Sequence, residues 1–468
     1  MGKQKLRGKD LRKLGFYSDK GKSLAINIMA THYKYLKKTE KIELLENVLA
    51  KPEKYADHEF LSPLAEEFME IVEKEEFTAY KLKPEVKPYS VFGKKFISQN
   101  AIHQMDLAMS IPIAKKGAMM PDAHVGYGLP IGGVLATKNE VIPYAVGLDI
   151  GCRMALTIFD VSTEIFKKQP HKLKTALQDE THFGLVKTRE GFTEHEILER
   201  PEFQETELLK TLRGKAISQI GTSGGGNHFV EFGEVELKRG NAMGVPAGTY
   251  LGLVSHSGSR GLGATIANYY KSVAMDVCRL PRGAQHLAWL DMNTAEGQEY
   301  WLSMNLAGDY AKACHDVIHQ KLAKAIGLKP LAKVENHHNF AWKEMQPDGE
   351  ELIVHRKGAT PAKLGELGII PGSMATSGYI VSGLGNAGSL NSASHGAGRK
   401  FSRSKAKASY TGSELRKELK KAKVTLIGGG LDEAPFAYKD IEQVMANQTD
   451  LVKVEGKFTP RIVRMCKD

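Results

Sequence analysis

One cysteine of this chain sits in a setting made for more than packing. Gly147-Leu-Asp-Ile-Gly-Cys152 places Asp149 and Cys152 three positions apart in a glycine-framed loop. Three histidine clusters follow: Gly224-Gly-Gly-Asn-His-Phe-Val-Glu231, Ser255-His-Ser-Gly-Ser-Arg-Gly261 and Ser394-His-Gly-Ala-Gly-Arg399. Carboxylate, thiolate and imidazole are borderline metal donors, and glycine lets backbone approach an ion or a phosphate closely. In a turning loop, positions i and i+3 can converge on one ion, and a thiolate can bridge two. Taken alone, Asp149 and Cys152 fit better as a buried thiol beside a capping carboxylate. Together with the histidines they point to a metal-dependent enzyme acting on phosphates.

Each cluster carries its own chemistry. Asn227, His228 and Glu231 lie where a glycine run enters a strand, a place where backbone N–H groups can face phosphate. In a strand His228 and Glu231 point to opposite sides, so one can ligate a metal while the other reads something else. An ordinary loop explains this piece alone equally well. His256 has Ser255, Ser257, Ser259 and Arg260 around it, a set suited to cradling phosphate. His395 is the sharpest case. A neutral imidazole can attack phosphorus and form a phosphoramidate, Gly396 and Gly398 remove bulk beside it, and Arg399 can offset phosphate charge. The bland alternative for His395 is one more metal ligand. The basic run Arg399–Lys407 reads as polyanion-binding surface. His337-His338-Asn339 is weak by itself, and His103, His124, His286, His315, His319 and His355 read as ordinary core or surface histidines.

The rest of the chain must position these groups. With 468 residues, 42 % hydrophobic and 25 % charged, it has an ordinary globular profile with a sizeable core. No apolar run approaches the ~18 residues of a membrane span. The start, Met1-Gly-Lys-Gln-Lys-Leu-Arg7, has no apolar stretch behind it and does not read as a secretory leader. Leu6 stands where a myristoylation start needs Ser or Thr. The four cysteines, Cys152, Cys278, Cys314 and Cys466, form no CxxC pair, so a reduced, cytoplasmic compartment is expected. A net charge of +11 favours polyanions, nucleic acid above all, although a solvated basic surface gives the same number.

Residues 1–88 are rich in Lys and Glu and poor in glycine, with apolar positions at helical spacing in Lys41–Leu49 and Pro63–Val72. Ser62-Pro63 reads as an N-cap with proline at the first helical position. This part is expected to be a small helical appendage. Its first 13 residues carry six basic side chains and one acid, either an RNA-touching arm or a disordered tail. From residue 89 to 468, short β-prone runs alternate with glycine-rich turns and with a long amphipathic stretch, Glu296–Ile326. The expectation is an α/β fold in the mixed α+β sense, one large catalytic domain whose loops carry the chemistry.

Taken in order, the motifs resemble the RtcB family, RNA-splicing ligases that join RNA 3′-phosphate or 2′,3′-cyclic phosphate ends to 5′-hydroxyl ends. The resemblance runs from about residue 89 to the C-terminus. It rests on Met120-Pro-Asp-Ala-His-Val-Gly-Tyr-Gly-Leu-Pro-Ile-Gly-Gly133, the Asp149–Cys152 loop, the three histidine clusters, Val354-His-Arg-Lys-Gly-Ala-Thr360, Pro371-Gly-Ser-Met374 and Asp432-Glu-Ala-Pro435. It implies two manganese ions, one on Asp149, Cys152 and His228, the other on Cys152, His256 and His338. It implies GTP as cosubstrate, with His395 as the residue that becomes guanylylated. By motif match Asn227 resembles a phosphate contact and Glu231 a guanine contact. His228, Phe229, Val230, His338, Asn339, Pro371, Gly372, Ser373, Met374, Ser377, Gly378, Gly396, Ala397 and Gly398 fall on nucleotide-binding segments. Lys467 looks like the family's terminal guanine-contacting lysine. Arg260 and Arg399 are expected to meet RNA or nucleotide phosphate.

The chain departs from the family pattern at Arg153, where glycine is usual, at Thr376-Ser-Gly-Tyr379, where Ser-Tyr is usual, and at Asp468, where glycine is usual. The expected partners are RNA and, by resemblance, an archease-type activator. A monomer with no membrane association is the expected state. The rival readings are a metal-dependent phosphoesterase with no nucleotide requirement and a non-enzymatic RNA-binding scaffold. The filled ligand positions argue against the scaffold.

Overall fold

The computed structural model describes residues 6–16, 18–74, 78–184 and 193–466. The chain divides into two compact units, Met1–Thr78 and Ala79–Asp468. The division falls ten positions before the one expected from composition. Residues 79–88 look polar enough to be appendage, yet they are tied to the larger unit. Tyr80 donates its N–H to the Arg279 carbonyl and packs its ring against Trp289, and Lys83 bonds the carbonyls of Ser110 and Ala114.

Among its described residues the small unit holds four α-helices, α1 (Gly8–Leu14), α2 (Asp19–Thr31), α3 (Lys38–Ala50) and α4 (Ser62–Lys74). Their apolar stripes meet in one core around Leu11, Phe16, Met29, Leu45, Leu61 and Phe68. Ser18 caps α2 by accepting the Gly21 N–H. Ser62 is not the N-cap of α4. Its own N–H already bonds the His58 carbonyl, and the His58 ring accepts the N–H groups of Phe60 and Leu61 in the cap's place.

The large unit is the expected α/β fold, with sheets that are chiefly antiparallel. In chain order it contains β1 (Ser90–Val91), helix α5 (Gln99–Ser110), β2 (Lys116–His124), β3 (Ile131–Thr137), β4 (Arg153–Phe159), β5 (Phe229–Leu237) and β6 (Gly248–Ser257). Helices α6 (Arg260–Val277) and α7 (Ala295–Ile326) follow. Then come β7 (Pro330–His337), β8 (Asn339–Met345), β9 (Glu351–Lys357), β10 (Ala359–Pro361), β11 (Leu367–Ile370) and β12 (Gly378–Gly383). The last are β13 (Ser392–Ser394), β14 (Thr425–Ile427) and β15 (Val452–Met465).

One sheet has the order β7-β4-β6-β5-β15-β12-β11, with β14 parallel to β15; the other has the order β8-β9-β3-β2-β1. Helix α7 is capped by Thr294 and stopped by Gly327 in the left-handed region. Its buried face lies under the first sheet through Ile318 and Leu322. The two sheets meet at the β7–β8 turn, because β7 ends at His337 in one and β8 begins at Asn339 in the other. His338 is the residue between them.

A buried ion pair ties the second sheet to the segment before His395. Arg356 on β9 is fully buried and forms two parallel bonds, 3.0 and 3.1 Å, to Glu344 on β8. It also donates to Ser392 Oγ and to the Leu390 carbonyl at the start of β13. Removing the carboxylate leaves a guanidinium in the core. Glu344→Ala is expected to cost about 3–5 kcal/mol in denaturant unfolding, and the double change Glu344→Leu, Arg356→Met to recover most of it. A loss below about 1 kcal/mol for the single change would contradict this role.

Candidate active site

Four chain segments bring the predicted donors together. The Asp149–Cys152 turn leads directly into β4. Gly151 in that turn has φ +69°, and a Cβ there would lie 2.7 Å from the Gly308 backbone of α7, so glycine is required on both counts. His228 lies just before β5, His256 near the end of β6, and His338 between β7 and β8. The main chain locks these segments together. His338 N–H donates to the Cys152 carbonyl, and Gly151 N–H donates to the Asn339 carbonyl.

The result is a cluster of side-chain donors. Cys152 Sγ lies 3.5 Å from His228 Nε2 and 3.2 Å from His256 Nε2. His256 Nε2 is 3.3 Å from His338 Nε2, and Asp149 Oδ2 is 2.9 Å from His228 Nε2. Gly258 faces the Asp149 carboxylate so closely that a Cβ would lie 2.0 Å from it. His256 Nδ1 donates to the Asn227 carbonyl at 3.0 Å, which turns the lone pair of Nε2 into the cluster.

The electrostatics match a cation site. Burial, then His228, draws His256 down to about 3, and burial with His395 and His256 holds His338 well below its usual range, so both rings are neutral. Burial and Asp149 push the Cys152 thiol well up. For Asp149, burial raises the carboxyl, but the charge and hydrogen bond of His228 outweigh it and hold it below its usual range. Neutral imidazole lone pairs, a carboxylate and a sulfur thus converge where a thiolate is stable only beside a positive charge. His228 Nδ1 and His338 Nδ1 are buried with no hydrogen-bond partner among the described residues. The donor set fits a divalent metal of borderline softness, and Cys152, His228 and His256 are compact enough to hold one.

His395 stands beside this cluster, its ring centroid 5.0 Å from that of His338. Its Nδ1 lies 2.6 Å from Asp122 Oδ2, and its backbone N–H donates to the same oxygen. Asp122 is fully buried. Burial alone raises its carboxyl, but the charge and hydrogen bond of His395, with Lys439, outweigh this and keep it ionised. A carboxylate on Nδ1–H leaves the Nε2 lone pair of His395 free, which is what a nucleophile needs. On the other side lies a cleft lined by Asn227, Phe229, Glu231, the Pro371–Met374 turn, Thr376 and Tyr438. Gly396 adjoins the Pro371 carbonyl and so joins the His395 loop to the cleft wall.

The model of the family described as tRNA-splicing ligase RtcB matches residues 104–465. The chain belongs to the RtcB family. RNA-splicing ligase RtcB of Escherichia coli strain K12 is 34 % identical over 373 residues, covering 73 % of this chain and 88 % of that protein. tRNA-splicing ligase RtcB of Nanoarchaeum equitans is 31 % identical over 432 residues, covering 77 % of this chain and 90 % of its own. RtcB membership makes the chain an enzyme, a ligase.

Against the RtcB motifs, the structure gathers Asp149, Cys152, His228, His256 and His338 in one cluster, with His395 at its edge. Asn227, Phe229, Glu231, Pro371, Gly372, Ser373, Met374 and Gly378 line the cleft. Others lie elsewhere. Val230 alternates to the opposite face of β5 and is buried in the core with Leu173 and Ile318, so its side chain is no cleft contact. Ser377 Oγ is paired with Thr459 Oγ1, and the neighbouring hydroxyl residue on the cleft is Thr376. Asn339 spends its amide on the Gly358 N–H and the Asp149 carbonyl. Ala397 is buried in the second sheet's core, and Gly398 backs onto the Asp122 carbonyl.

The two arginines expected to meet phosphate are bracing groups. Arg260 bonds Thr222 and the Gly184 carbonyl. Arg399 holds Glu433, Tyr438 and the carbonyls of Asp432 and Phe401. Lys467 lies outside the described residues. Arg153 opens β4 and turns its guanidinium to His337 and Glu335. Sequence reasoning missed Asp122, which sits inside a quoted motif but lies far in sequence from His395, the residue it holds. Arg403, read only as part of the basic run Arg399–Lys407, reaches Asn227 and Glu433 with its guanidinium.

Glu231 is buried in the cleft, and burial pushes its carboxyl up to about 8. It is therefore protonated at neutral pH and ionises as pH rises through 8. A ligand that offers it N–H donors favours the ionised form and should bind more tightly as pH approaches 8. Side-chain ¹³C NMR should show a carboxyl titrating near pH 8 that Glu231→Gln removes; titration of Glu231 in the usual carboxylate range would contradict the cleft's polarity.

Proposed function

We propose that this ligase joins RNA 2′,3′-cyclic phosphate or 3′-phosphate ends to 5′-hydroxyl ends, using GTP and two Mn²⁺ ions through a GMP–histidine intermediate at His395. The observation that carries it is the setting of His395: Nδ1 held by a buried carboxylate, Nε2 free, between a cleft and a metal-type donor cluster. Asp149, Cys152 and His228 would hold one ion and Cys152, His256 and His338 the other; the metals would offset phosphate charge and orient phosphate oxygens.

The protein's own groups account for the rest. Glu231 would accept the N–H donors of guanine, and the Pro371–Met374 turn would flank the base. Asn227 would face the phosphates. His395 Nε2 attacks the α-phosphorus, the bond to the β-phosphate oxygen breaks and pyrophosphate leaves. Asp122 keeps the Nδ1 proton and offsets the charge that develops on the ring. An RNA 3′-phosphate oxygen then attacks the same phosphorus, the P–N bond breaks and His395 returns to its neutral form. The 5′-hydroxyl attacks the activated 3′-phosphate, and GMP departs. A cyclic end must first be opened by water. RNA as substrate agrees with the names of the relatives and with the basic run after His395.

Incubation with α-labelled GTP should leave an acid-labile, base-stable label on the protein. His395→Ala should lose it entirely while still sealing RNA whose 3′ end already carries GMP. Asp122→Asn should label about 10²–10⁴-fold more slowly, because the ring loses its orienting charge. Normal labelling of His395→Ala would refute the assignment.

A further inference from the structure

A groove of about 800 Å³ runs beside the loop that carries His395, walled in part by Pro121 and Ala123, on either side of Asp122 in β2, and by Arg399 and Lys400. Its volume lies toward the upper end of the roughly 300–1,000 Å³ of ligand pockets. Three aromatic side chains line it: Phe96, 41 % exposed, Tyr127, 69 % exposed, and the half-buried Phe401. Large exposed aromatics on a groove beside an active centre mark a binding surface.

The charges on the groove fall into two kinds. Arg399 and Arg403 are occupied by Asp432 and Glu433, and Lys439 by the carbonyls of Pro121 and Ala123. Lys95 and Lys400 are exposed and make no ion pair among the described residues. Lys405, on the run after His395, sits 4.7 Å over the Phe401 ring. The acid on the lining, Asp440, caps a helix by accepting the Glu442 N–H. The groove thus presents free cations and aromatic faces, the pairing that single-stranded nucleic acid uses for its phosphates and bases. A paired end keeps its bases stacked on one another and cannot offer them to Phe96 or Tyr127.

We propose that this groove holds the unpaired nucleotides next to an RNA end. Their phosphates lie against Lys95 and Lys400 and their bases on Phe96 and Tyr127, so that the end reaches His395. The inference rests on the RNA-ligase reading above and adds that the enzyme selects ends whose last nucleotides are unpaired.

The test uses the full-length protein and two RNAs, a single strand ending in a 3′-phosphate and a blunt hairpin ending in a 3′-phosphate. Fluorescence anisotropy is read across a salt series, with GTP labelling of each variant alongside. The wild type should prefer the single strand. Phe96→Ala and Tyr127→Ala should each weaken single-strand binding about tenfold, with the salt slope unchanged. Lys95→Ala and Lys400→Ala should each reduce the log–log salt slope by about 0.7. GTP labelling should be normal in all four, since none touches the cleft.

Wild-type binding by the aromatic variants, or a hairpin bound as tightly as the single strand, overturns the proposal. A polyglutamate peptide that displaces the RNA and itself depends on Phe96 and Tyr127 overturns it in favour of an acidic protein partner. If the wild type fails to label with GTP, the ligase chemistry fails, and the groove is still judged by the binding series alone.

Discussion

The sulfur of Cys152 is the point that the rest of the large unit serves. Two imidazole nitrogens lie within 3.5 Å of it and a third lies 3.3 Å further on. Burial and the Asp149 carboxylate hold this sulfur as a thiol, hydrogen-bonded among the imidazoles. The backbone keeps the donors together. The Cys152 carbonyl takes the His338 N–H, and the Asn227 carbonyl sets the His256 ring. Gly151 lets helix α7 approach. A cation bound here would meet donors already gathered at one place from both sheets.

The same logic extends to His395. As the proposed nucleophile it needs its Nδ1 proton fixed, and Asp122 holds Nδ1 from a buried strand rather than from a mobile loop. The strand before His395 is held in turn by Arg356, whose charge is answered within the core by Glu344. A rigid scaffold thus carries a short loop with its reactive atom facing two sites, the donor cluster through His338 and the cleft through the Pro371 turn. Acid–base and covalent work at one imidazole needs this kind of preorganisation more than it needs any single strong contact.

Much of this was legible in the chain. The metal-type donors and the histidine proposed as nucleophile are legible because the glycine-framed Asp, Cys and His clusters recur in the order of the RtcB motifs, although no one of the metal-donor clusters is decisive alone. The mixed α/β texture and the helix Ala295–Ile326 followed from periodicity. Other features depend on three-dimensional neighbours. Asp122 lies 273 positions from His395, so nothing local marks it as a partner. Val230 is adjacent to two cleft residues but alternates away from them, and Ser377 is claimed by Thr459 on a neighbouring strand. Arg399 looks like a phosphate contact in sequence because the carboxylate that occupies it, Glu433, lies 34 residues away. Residues 79–88 read as appendage because the partners that tie them to the larger unit, Arg279, Trp289, Ser110 and Ala114, lie elsewhere in the chain and leave no mark in local composition.

The central claim is that Cys152 forms a thiolate inside a metal centre. Titration of the metal-free protein with Co²⁺, followed by ultraviolet and visible absorption, tests it most directly. A sulfur-to-cobalt charge-transfer band should appear and saturate with binding, and Cys152→Ser should abolish the band. Cobalt binding without that band, or a band that survives in Cys152→Ser, would contradict the account.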